Sequence, residues 1–458
     1  MLTQENLTEL LQTSLRSGGD FAEVFIEEAK ATTVSCEDNK IEKISSGTEV
    51  GAGIRVISGK ETAYVASSDT GFGALRAAAL KISESVSGNK IKVKELTPQV
   101  SNQGLNIKRR PNQVSMDEKT AKVELLNKTA RSHDGKIKQV TVRYTDSNQA
   151  ITVANSDGLY VEDNRIRTRY YINVIAAKDH TLQTGYEAPG GTVGFELFDQ
   201  YPAEEYAKRA AERALLMLDA PHAPAGKMMV VMSSEAGGTL VHEACGHGME
   251  ADFIMKGTSV YAGKIGSKVA SDVVTVIDDG TLPGKFGTYA FDDEGSPAKK
   301  TILIENGILK SYLTDRYTAN IVGLEKTGNG RRQSFHSKPQ PRMRNTFIAP
   351  GNTDPQEIID SVKNGFFVKH MGGGQVNVTN GDFVFDVTEG YLIENGKIKH
   401  PVRGATLIGN GPKILEIIDL VGSDLGFTTG VCGKYDHAPV STGQPTIRIP
   451  EVTVGGRI

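Results

Sequence analysis

Leu7, Leu10, Leu11 and Leu15 fall on one side of a 3.6-residue period, and Gly18-Gly19 ends the run, so residues 4–16 are expected to form an amphipathic helix. The period then changes to two. Glu23–Glu28, Gly51–Ile57 and Thr62–Ala66 alternate apolar and polar positions, as strands of an antiparallel sheet do. Ala-rich helical spacing returns over 71–86, a further helix is expected over about Glu118–Ser132, and long alternating segments occupy Lys136–Ile175. Between those helices, Thr97–Val114 carries Pro98 and Pro111 and few large apolar residues, and is expected to be loop. Residues 203–218 predict a strong amphipathic helix, and Asp219–Gly226, with two prolines, is expected to be an interdomain linker.

Beyond the linker the pattern is mostly that of strands, with helices expected near 235–247, 354–363 and 412–421. The stretch Ile302–Lys310 recurs nearly unchanged as Tyr391–Lys399, each with Asn-Gly between alternating apolar residues. Both positions of such a turn need positive φ, which makes Asn-Gly a hairpin signal. The chain therefore divides, on expectation, into an N-terminal α+β domain (1–220) and a C-terminal β-rich domain (221–458), an α+β protein overall. The 50 glycines fit a strand-rich chain with many tight turns. Gly372-Gly373-Gly374 and Gly328-Asn329-Gly330 lack the Lys-Ser/Thr of a phosphate loop and are expected to be turns.

Composition narrows the function classes. A formal net charge of -3 over 458 residues offers no basic footprint for nucleic acid, and Lys108-Arg109-Arg110 and Arg331-Arg332 are expected to be solvated charge. No apolar run approaches the ~18 residues of a membrane helix, and the N-terminus lacks the layout of a signal peptide. Three scattered cysteines make no disulfide framework. The expected location is the cytoplasm.

One segment carries chemistry: His242-Glu243-Ala244-Cys245-Gly246-His247-Gly248-Met249-Glu250. Two imidazoles with a carboxylate beside the first are a zinc peptidase's means of holding the metal and taking a proton from water, which makes Glu243 the candidate general base. The spacing is five, however, and on a regular helix the two histidines would diverge by roughly 140°. They meet one ion only if the backbone between Ala244 and His247 is irregular, as in a π-bulge, with Gly246 and Gly248 easing the distortion. A third ligand is required, and Cys245, Glu250, Asp252, Cys432 and His437 are all candidates. Cys432 sits between glycines, with Lys434 near enough to favour the thiolate. His336, Arg342 and Tyr435 are candidates for stabilising an oxyanion. No Gly-x-Ser-x-Gly elbow is present for a nucleophilic hydrolase.

The HExxxH segment, running on to Phe253, resembles the signature of the TldD/PmbA family, in its TldD branch. Lys256-Gly257-Thr258-Ser259, Asp292-Asp293-Glu294-Gly295, Arg331-Arg332-Gln333-Ser334, Pro341-Arg342-Met343, Val431-Cys432-Gly433-Lys434 and Gly443-Gln444-Pro445-Thr446 extend the similarity, as does Ser45-Ser46-Gly47-Thr48 near the N-terminus. The resemblance implies a zinc metallopeptidase acting on unstructured peptides, with His242, His247 and Cys432 as metal ligands and Glu243 as base. It also implies a dimer, either with a PmbA-type subunit that lacks the motif or with a second copy. A non-catalytic binding subunit and a zinc amidase acting on a small molecule are the rival readings.

Overall fold

The computed structural model describes residues 2–100 and 106–456, so residues 101–105 of the expected loop lie outside the described part. The first half is one sheet backed by helices. Strands β1 (Phe21–Glu37), β2 (Lys40–Ser58), β3 (Glu61–Ser67), β4 (Ile137–Asn155), β5 (Leu159–Lys178) and β6 (Thr181–Glu187) pair antiparallel in the order β3-β2-β1-β4-β5-β6, and Thr97–Gln99, at the start of the expected loop, adds a short strand parallel to β5. The strands around the centre are 17 to 20 residues long, and their inward positions alternate with polar ones as a one-sided sheet requires. Helices α1 (Gln4–Ser14) and α2 (Phe72–Ser83) cover one end of this sheet, burying Leu7, Leu10 and Leu11 against Val24, Ile54 and Val56. Helices α3 (Met116–Arg131) and α4 (Ala203–Asp219) cover the other end over Val140, Val142, Ile172 and Val174. Thr3 and Ser115 cap α1 and α3 with their side-chain oxygens, the residues expected to begin helices.

The second half holds two further sheets that enclose a common core. In one, β7 (Gly226–Met232), β12 (Asn364–Val376), β13 (Asp382–Glu394), β15 (Ala405–Asn410) and β18 (Ile447–Gly455) pair in the order β12-β7-β18-β15-β13, and β13 pairs back to β12, so the ring closes. Strand β14 (Lys397–Val402) hangs on β13. The other sheet runs β10 (Ile308–Leu309), β9 (Lys300–Glu305), β8 (Val276–Asp279), β11 (Asn345–Ile348), β17 (His437–Gln444) and β16 (Gly426–Gly433), with β11 and β17 parallel. Both Asn-Gly pairs form the expected hairpins: Asn306 and Gly307 have φ of 46° and 80°, Asn395 and Gly396 of 50° and 74°.

Two expectations fail for reasons of packing. Gly372–Gly374 belong to strand β12 rather than a turn, in an irregular stretch where the register against β13 shifts. A Cβ at Gly374 would lie 1.9 Å from the Phe385 ring, so glycine is what lets the two strands touch there. Arg331 and Arg332 are buried rather than solvated, at 5% and 6% exposure. Arg332 donates to Glu23 (2.7 Å), which also accepts from Arg55 (2.8 Å), while Arg165 reaches Asp293 (2.6 Å). These pairs join the first sheet to the second half of the chain, and buried charge of this kind stands only when paired.

Candidate active site

The chain enters the site through two left-handed glycines, Gly237 (φ 79°) and Gly238 (φ 72°), positions that side chains rarely tolerate. The Gly237 carbonyl accepts from Thr428 (2.8 Å) on β16 and from Thr442 on β17, which fixes the following helix against the second sheet. That helix begins as α-helix at Thr239–Val241 and becomes a π-helical turn over His242–Gly246, with the His247 N–H donating to the His242 carbonyl. A π turn brings positions five apart onto one face, which is the widening the five-residue spacing demands. The imidazole centroids are 4.9 Å apart at 82°. Gly246 has ordinary helical angles (φ -53°, ψ -57°), so the glycines serve close approach instead of unusual torsions. A Cβ at Gly246 would meet Met343 Sδ at 2.1 Å, and one at Gly248 would meet the Tyr261 ring at 2.8 Å.

Cys432, on β16, completes the cluster. Its Sγ lies 3.1 Å from His242 Nε2 and 3.2 Å from His247 Nε2, and the three ligand atoms all lie within 4.8 Å of one another. All three residues are buried. Burial alone would raise the Cys432 thiol, but the charge and hydrogen bonds of His242 and His247 outweigh it and bring the thiol down to about 5. A thiolate with two imidazoles is a zinc donor set. These three residues would hold the metal, and the close approach of their donor atoms is compatible with binding one ion. His242 Nδ1 is buried without a hydrogen-bond partner among the described residues.

The other candidates go elsewhere. The Cys245 thiol donates to the Val241 carbonyl in the core, and burial pushes it up to about 12. Glu250 accepts from His247 Nδ1 (3.0 Å), on the side of the ring away from Cys432. Lys434 does not point at the thiol as its place in the sequence suggested: its ammonium reaches Asp252 (2.7 Å) and Glu250 (3.1 Å). The His437 side chain is exposed, and its backbone N–H donates to Gln333. Arg342 is fully buried, donating to the Cys432 and Asp436 carbonyls, and His336 pairs with Glu49 on β2. Of the three oxyanion candidates, only Tyr435 lines the cleft.

That cleft encloses about 660 Å³ over the cluster and is lined by His242, Glu243, His247, Phe253, Gln375 and Tyr435 with the edge of β16. Glu243 is half-buried and faces it beside His242. Thr428–Val431 of β16 lie at the rim of their sheet, and β12 beyond Val368 pairs only with β13, so two free strand edges face the cleft. Among the described residues no helix is long and apolar enough to cross a membrane.

Family models of PmbA/TldA metallopeptidases match the chain in three stretches: domain 1 over residues 22–85, the central domain over 109–218 and the C-terminal domain over 225–456. A Haemophilus influenzae protein named as a metalloprotease TldD homolog is 36% identical over 99% of this chain and 97% of its own length. A zinc metalloprotease TldD homolog of Saccharolobus solfataricus is 34% identical over 57% of this chain and 59% of its own. The crystal structure of TldE from Thermococcus kodakarensis superposes with a TM-score of 0.79 at 22% identity, covering 98% of this chain and 100% of that one, a likeness of fold.

Proposed function

Because the chain belongs to the PmbA/TldA metallopeptidase family, we propose that it is a zinc-dependent peptidase that hydrolyses unstructured peptides at the His242–His247–Cys432 cluster. The observation that carries this reading is the convergence of two imidazoles and a thiolate at the floor of an open cleft, beside a carboxylate that takes no part in the cluster. Zinc held by His242, His247 and Cys432 supplies Lewis acidity toward a carbonyl and acidifies water. Glu243 accepts the proton of the attacking water on its carboxylate and passes it to the departing amine nitrogen. The substrate lies extended against the free edge of β16, where backbone hydrogen bonds recognise any sequence, and a folded protein offers no such strand. Residues 221–458 form the catalytic unit in this reading, the N-terminal region (1–220) supports it, and the protein works in the cytoplasm as a dimer with a second copy or a PmbA-type subunit.

The test combines metal analysis with peptide degradation. Purified protein is expected to hold about one zinc per chain, and Glu243→Ala is expected to keep the metal while losing most hydrolysis of an unstructured peptide, on the order of 100-fold or more. Full activity in Glu243→Ala would remove the assigned base. A protein that takes up no zinc when supplied with it would favour the non-catalytic binding subunit, and one that cleaves small amides but no peptides would favour the amidase.

A further inference from the structure

The two imidazoles of the cluster are held differently. Among the described residues His242 Nδ1 has no hydrogen-bond partner, whereas His247 Nδ1 lies 3.0 Å from Glu250 Oε2. Glu250 is wholly buried, and its other oxygen accepts from the Met343 N–H (3.2 Å). A carboxylate there stays charged only if cations stand beside it, and two do: Lys434 Nζ at 3.1 Å and Arg342 Nε at 3.7 Å. Lys434 stands two residues after Cys432, in the turn between β16 and β17, and its ammonium is also tied to Asp252 (2.7 Å) and the Pro341 carbonyl (3.4 Å). The Cys432 carbonyl accepts from Arg342 (2.8 Å).

A histidine that ligates through Nε2 must carry its proton on Nδ1, and a carboxylate accepting that N–H fixes both the tautomer and the plane of the ring. We propose that Glu250 and Lys434 are a pair of positioning residues that couple the two arms of the metal site: the hairpin that delivers the Cys432 thiolate also delivers the ammonium that holds Glu250 against His247. This rests on the reading of His242, His247 and Cys432 as the zinc ligands. The hairpin's docking then completes the donor set and locks its second imidazole in one step. His242 Nδ1 has no such partner among the described residues.

The experiment is the zinc dissociation constant of the full chain, measured by competition with a chromophoric chelator. Glu250→Gln and Lys434→Met are each expected to weaken zinc by roughly 10- to 100-fold, the usual effect of removing a partner of a ligating histidine. The double variant is expected to lose far less than the product of the two, because both changes break one linkage. Lys434→Arg, which keeps a cation in place, is expected to return to within a few-fold of the parent, whereas a space-filling role would be served by methionine and not by arginine. Lys119→Met breaks an equally buried pair, Lys119–Asp146 (2.7 Å), between α3 and β4, and controls for general destabilisation: it is expected to leave zinc affinity unchanged. Should Glu250→Gln fail to fold, Glu250→Asp, which shortens the reach and keeps the charge, answers the same question. Parent-like affinity in Glu250→Gln and Lys434→Met overturns the coupling and leaves the ligand set standing. Absence of zinc from the parent protein overturns the ligand set itself.

Discussion

Cys432 has an imidazole on each of two sides, and its chemistry follows from that company. Its thiol is held at about 5 by His242 and His247, while burial drives Cys245 up to about 12 and pushes Cys36 upward as well. A lowered thiol is already ionised above about pH 5, so metal-free protein at pH 7 is expected to react with iodoacetamide at Cys432 well before the other two cysteines, and zinc is expected to protect it. Peptide mapping by mass spectrometry checks this, and prior labelling of Cys245 would contradict it. Cys432→Ser, which replaces a strong zinc donor with a poor one, is expected to lose the metal on dialysis.

At the scale of elements, the π turn is held in place from outside. Gly411 opens the helix Gly411–Ile417, and a Cβ there would fall 2.6 Å from the Ala244 Cα and 2.7 Å from its carbonyl oxygen. Both are backbone atoms of the turn that separates His242 from His247, so nothing yields without moving the ligands. Gly411→Ala is therefore expected to cost about 1–3 kcal/mol of stability by overpacking and to weaken zinc binding with it. Gly73→Ala, which meets open space on α2, is expected to be neutral or to stabilise by up to about 1 kcal/mol. Thermal denaturation with and without zinc separates the two. Much at this scale was legible beforehand, because it depends on neighbours in sequence: the leucine spacing of α1, the Asn-Gly hairpins, and the irregular backbone forced by two histidines five apart. What was not legible depends on neighbours that only the tertiary fold brings together. Arg332 reads as surface charge until Glu23 is brought to it, Arg331 until the Met343 carbonyl accepts from it, and Lys434 reads as a partner of the nearby thiol until Glu250 and Asp252 claim it. The closing of the ring through β7, where Val230 pairs with Phe366 on one side and Ile449 on the other, has no local signal either.

Buried charges cross between the two halves of the molecule. Arg55, on β2, reaches Glu23 (2.8 Å) and Glu294 (2.5 Å), all but free of solvent. Arg55→Met leaves Glu294 buried without that cation and is expected to cost about 3–5 kcal/mol, read as a lower midpoint of urea unfolding. Next to it, burial and then the charge of Glu294 raise Asp315 to about 7. The sign follows from proton uptake: between about pH 4 and 7 the folded chain holds a proton on Asp315 that the unfolded chain has lost, so stability present at low pH drains away as pH rises through that window. Asp315→Asn keeps the helix cap on Thr318 and removes the charge, and is expected to flatten the decline of the unfolding midpoint between about pH 4 and 7.

The distance in sequence between the donors has a consequence in time. Cys432 follows His242 by 190 residues, and the strand that carries it is the third from the end of the described chain. A polypeptide emerging from the ribosome in N-to-C order exposes His242, Glu243 and His247 long before the thiolate exists. On the proposed ligand set, no chain that stops short of Cys432 can assemble the three-donor centre, so hydrolysis by this site waits until β16 has been made, and shorter fragments are expected to cut nothing.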